Sequence, residues 1–161
     1  TMSLLGYHVP LLRGLAAELK CAPVGEMAQR PGVTDVYRVT VHYYDRRACD
    51  SVATLVKTIT GGVTLDVVYR RALAQKPLTY KIAEERYQKL VLAFKAAGFD
   101  KLVDQSGLPA HDSTDVWMVE RAAGSFVRGI IVAPDVPAPA PYQAVIAAVR
   151  HALPEAMRMV V

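Results

Sequence analysis

From Val36 to Asp45 apolar and polar residues alternate. Tyr37, Val39, Val41 and Tyr43 share one face, and Arg38, Thr40, His42 and Tyr44 share the other. A period of two in β-branched and aromatic residues predicts a strand with one buried and one wet face. Val63 to Leu73 repeats the pattern: Val63, Leu65, Val67 and Tyr69 lie opposite Thr64, Asp66 and Arg70, and the alternation breaks near Gln75-Lys76-Pro77. Val52 to Thr60 fits two templates. Val52, Leu55, Val56 and Ile59 have helical spacing, but the threonines, valines and isoleucine favour a strand. Gly61-Gly62 decides for a hairpin, because primed turns take positive φ at both central residues. Asp115–Arg121 and Ser125–Ala133 form a second strand pair, turning at Ala122-Ala123-Gly124. The last strand is apolar on both faces, as suits one that is covered.

The period changes to that of a helix in three places. Pro10 to Lys20 carries Leu11, Leu12, Leu15 and Leu19 on one stripe, with proline in the first turn. Ile82 to Ala97 carries Ala83, Tyr87, Leu90, Val91 and Phe94, with Glu84 and Glu85 where the helix dipole favours anions. Gly98 then offers the left-handed cap, and Phe99 can fold back on Phe94. Residues 141–152 form the last helix, with Tyr142, Val145, Ile146, Val149 and Leu153 on its buried side and Pro154 as its stop. Residues 22–34 hold prolines and glycines and read as loop.

The predicted order is α-β-β-β-α-β-β-α. Short turns join the strands within each run, so the expected fold is α+β, with an antiparallel (or mixed) sheet of about five strands and the long helices on one face. One domain spans 1–161, with a loose start over residues 1–9 and a stiff Pro-rich linker over 134–141.

Composition narrows the classes. A formal net charge of +4 is mild, and the longest basic runs are the pairs Arg46-Arg47 and Arg70-Arg71. A nucleic-acid binder is not expected, since it needs a denser basic stripe. No apolar run approaches the ~18 residues of a membrane span. No signal peptide is visible in this chain, which tips the expectation slightly toward the cytoplasm. Cys21 and Cys49 are expected as free thiols, with a disulfide as the alternative in an oxidising compartment.

Candidate chemistry is sparse. There is no Cys-x-x-Cys, no Gly-x-Ser-x-Gly, and no phosphate loop around Gly61-Gly62. His111, Asp112 and Asp115 are metal-capable but lack the ligand spacing of a calcium loop, so no metal and no cofactor are expected. The binding candidates are Arg38, His42, Tyr44 and Arg70 on the polar strand face, with cross-strand pairs such as Arg38 or Arg70 with Asp66. Without a catalytic constellation, the expectation is a non-catalytic protein-interaction module. The alternative is a small-molecule or anion-binding domain using the same face, or an enzyme of unrecognised type. Self-association through leftover apolar surface is a third option.

Overall fold

The computed structural model describes residues 7–70, 76–109 and 111–157. Its elements are α1 (His8–Glu18), α2 (Val24–Ala28), β1 (Val33–His42), β2 (Ser51–Thr58), β3 (Val63–Tyr69), β4 (Leu78–Lys81), α3 (Glu84–Ala97), β5 (Val116–Ala123), β6 (Phe126–Val132) and α4 (Ala140–Ala152). The fold is α+β. Six strands form one antiparallel sheet in the order β4-β3-β2-β1-β5-β6. Among the described residues no helix is long and apolar enough to cross a membrane.

The stretch left ambiguous between helix and strand is β2. Its turn into β3 differs from the expected primed turn. Gly61 N–H bonds Thr58 O at 3.0 Å, Thr58 N–H bonds Gly62 O at 3.0 Å, and Gly61 alone carries the positive φ, 97°. This is a longer hairpin loop closed by a left-handed glycine. The second hairpin turns at Gly124-Ser125, one residue beyond its expected centre, with Ala123 paired to Phe126. The segment 71–75, where the strand after Val63 was expected to end, and residues 1–6 lie outside the described residues.

The two long helices cover one face, as expected. Tyr87, Leu90 and Phe94 of α3 and Val145, Ile146 and Val149 of α4 pack on Tyr37, Val39, Val41, Leu55, Leu65, Trp117 and Ile130. The opposite face was expected to be wet and is not. Leu12 of α1 packs with Val116, Met118 and Ile131, and Leu15 and Leu19 pack with Val52 and Val68. Val24 and Ala28 of α2 pack with Val36 and Ala122. Every residue from Asp35 to Tyr43 is therefore buried. The cause is the leucine stripe of α1, which needs an apolar partner and finds it among the valines beside the polar side chains. Of the start over residues 1–9, the structure describes His8. It opens α1, is buried, and places its Nε2 at 2.6 Å from Pro109 O.

Candidate functional site

β1 sends Arg38 and Thr40 toward α1 and α2. There they form part of the floor of a cleft of about 470 Å³, within the size range of small-molecule sites. Met118 and Glu120 of β5 and Gly129 of β6 complete the floor, and Leu12, Ala16 and Val24 supply aliphatic walls. Arg13 and Cys21 also line it. Two glycines shape this region. A Cβ on Gly129 would lie 3.2 Å from Glu120 Cγ, so glycine there leaves room for the glutamate. A Cβ on Gly25 would lie 2.9 Å from Val127 Cγ2, so glycine there lets α2 approach β6.

Arg38 is 3% exposed. Its Nε donates to Thr54 Oγ1 at 2.9 Å, and Nη2 points at the Met27 sulfur at 3.2 Å, a weak acceptor. The expected pairing of Arg38 with Asp66 does not form. In register, Arg38 lies between Thr54 of β2 and Glu120 of β5, while Asp66 accepts a hydrogen bond from Thr79. Glu120 acts on Arg38 through its field, yet neither enters an ion pair among the described residues. Burial pulls the guanidinium pKa down and pushes the Glu120 carboxyl up, the latter opposed by Arg38 and Arg13. Two residues along β1, opposite Met118, Thr40 Oγ1 is buried without a hydrogen-bond partner among the described residues. A buried charge without a direct counter-ion is costly to the fold. Two such charges and a buried hydroxyl therefore line one cleft with aliphatic walls. The Cys21 thiol beside them is also pushed up by burial, which makes it a poor nucleophile.

His42, on the same face of β1, is clamped instead. Its Nδ1 lies 2.8 Å from Asp50 Oδ2 and its Nε2 lies 2.8 Å from Asp112 Oδ1. Asp50 also accepts the Tyr43 backbone N–H at 2.9 Å. The His111-Asp112 loop thus supplies a histidine partner, while His111 itself is exposed. Arg70 bridges α1 to this cluster, with Nε 3.3 Å from Glu18 and Nη1 4.0 Å from Asp50. Tyr44 is exposed just beyond β1, and its backbone N–H donates to Asp115, which Arg47 also binds. So His42 and Arg70 meet at Asp50, Arg38 sits apart in the cleft, and Tyr44 is at the surface. Among the described residues no group of three or more His, Cys, Asp or Glu is placed to hold a metal.

Among the described residues, no side chain lining the two other hollows has a buried polar atom without a hydrogen-bond partner. Beside Tyr37, Phe94 and Arg121 is a space of about 330 Å³, where Arg121 is held by Asp100 at 3.0 Å and by Asp35 at 3.5 Å. A shallow groove of about 680 Å³ runs between residues 134–138 and α4. Its cation Arg150 already lies over the Trp117 ring, 5.5 Å from the centroid.

Glu120 was not legible as a site residue, because its role depends on the β1–β5 register. A lone carboxylate following the apolar run Val116-Trp117-Met118-Val119 is the signal that was available. Both cysteines are free. The sequence matches no family model and no curated protein at a significant level.

Proposed function

We propose that this chain is a small-molecule-binding domain whose ligand is an organic anion seated under α1 and α2. The observation that carries this is Arg38: among the described residues it is a buried guanidinium without an ion-pair partner, and it opens into a cleft beside a Thr40 hydroxyl with no hydrogen-bond partner there and a Glu120 carboxyl with no ion pair there. A protein that stabilises such a group without using it gains nothing from it. An anion would satisfy the remaining guanidinium donors, and the aliphatic walls would cover an apolar body. Nothing in the cleft is set for bond cleavage, so binding rather than turnover is the activity assigned.

A protein-interaction role through Arg38, His42, Tyr44 and Arg70 is less favoured, because Arg38 and His42 are buried and leave only Tyr44 and Arg70 to meet a partner. A thermal-shift screen with small organic acids distinguishes the two. Acids that enter the cleft raise the melting temperature of the wild type but not of Ala16→Phe, which places bulk in it. A flat response across the screen, or equal shifts in both proteins, would sink the proposal.

A further inference from the structure

Resting on that reading of the cleft, we infer that its ligands are amphipathic monocarboxylates, with the carboxylate at Arg38 and the hydrocarbon body running between α1 and α2. The guanidinium offers a planar fork of donors, of which two are spent, on Thr54 and on the Met27 sulfur. That fork matches a carboxylate or a phosphate. The walls that lead away from it are Leu12, Ala16, Val24 and Val127, with Met118 beside Thr40 at the floor. They accept methylene groups and offer no side-chain hydrogen bond beyond a weak sulfur acceptor, so the charged end belongs at the floor.

Glu120 decides between the two anions. It is the cross-strand neighbour of Arg38, it is 7% exposed, and it forms no ion pair among the described residues. An entering anion therefore shares the field of one guanidinium with Glu120, while Arg13 adds charge from α1 and Cys21 remains a thiol. A dianionic phosphate sets extra negative charge against this carboxyl, where like charges are strongly unfavourable. A monocarboxylate can instead share one proton with Glu120 across a charge-assisted O–H···O bond. Burial raises the Glu120 pKa, against Arg38 and Arg13, which is the direction that favours a shared proton. An uncharged alcohol of the same length leaves Arg38 unmatched.

The test titrates the full chain with octanoate, octyl phosphate and 1-octanol, read by calorimetry and by backbone amide shifts of residues at the floor. Octanoate should bind at least about tenfold more tightly than either competitor. Glu120→Gln should raise octyl phosphate affinity relative to octanoate by about tenfold. Octyl phosphate or octanol binding as tightly as octanoate overturns the carboxylate assignment and leaves the cleft as a ligand site. An unchanged ranking in folded Glu120→Gln also overturns it. If that variant fails to fold, the wild-type ranking decides alone. Failure of all three probes to bind, or binding that Ala16→Phe does not weaken, overturns the underlying reading of the cleft.

Discussion

His42 touches two carboxylates at once, and that fixes its protonation. A neutral imidazole has a single N–H, so it can donate to Asp50 or to Asp112 but not to both. Both contacts are 2.8 Å, so donating to both carboxylates takes the protonated ring. Its pKa is raised, first by the hydrogen bond to Asp50, against the pull of burial, and further by Asp112. A folded-state pKa above the unfolded value means that the stabilisation is complete below about pH 6.5 and fades as pH rises through the folded value. His42→Gln should therefore unfold at lower urea than wild type near pH 6, by about 1.5–3 kcal/mol. The gap should narrow as pH rises through the folded-state pKa and the wild-type ring loses its proton. Equilibrium urea unfolding of both proteins across that range checks it. Taking the difference between the proteins cancels the titration of Glu120 and Cys21, provided neither shifts with His42. A gap independent of pH would mean that the ring is held neutral.

The end of α3 shows how one element is specified locally. Gly98 takes φ 69°, and its amide N–H bonds Lys95 O at 3.1 Å. Phe99 then stacks on Phe94 with centroids 4.5 Å apart, and Phe94 meets Tyr37 edge-on at 5.3 Å. A Cβ on Gly98 would meet no atom within 4 Å, so Gly98→Ala should cost only the left-handed strain, about 1–2 kcal/mol. Phe99→Ala empties a fully packed site and should cost about 3–5 kcal/mol. Chemical denaturation that ranks them in the opposite order would place the anchor in the cap rather than in the ring stack. This helix end was legible because every cause lies within six residues. Alternation and glycine also marked β1 and the presence of both hairpins, although β1 runs Val33–His42 rather than from Val36 to Asp45 and the turn at Gly61 is not the primed one expected. β4 and α2 were missed because four and five residues are too few for a period to show, and prolines flank both (Pro77, Pro23). In the site, Arg38 and His42 were singled out from their residue types, but their burial was not. Alternation gives which side chains share a face, and says nothing of what a distant helix later lays over it.

Both sheet faces are covered, but not equally well. α3 and α4 rest on a continuous apolar core, whereas α1 spans a surface interrupted by the cleft and by Arg38, Thr40 and Glu120. Leu12, Leu15 and Leu19 fix α1 along one side, and its ends are tied by His8 to Pro109 and by Glu18 to Arg70. Lifting α1 exposes three leucines and restores water to an underserved arginine. Lifting α3 would open the main core. Local opening follows the least costly unit, so α1 should open below the free energy of global unfolding. Native-state hydrogen exchange should then show the amides of Leu12 to Glu18 less protected than those of β1 and α3. Saturating octanoate should slow exchange in α1 and in β1 alike, because a ligand that bridges Arg38 and the α1 wall binds neither the α1-open form nor the unfolded chain. Equal protection of α1 and β1 without ligand would show one cooperative unit. In that case a ligand reaches Arg38 through the standing mouth of the cleft rather than through movement of the helix.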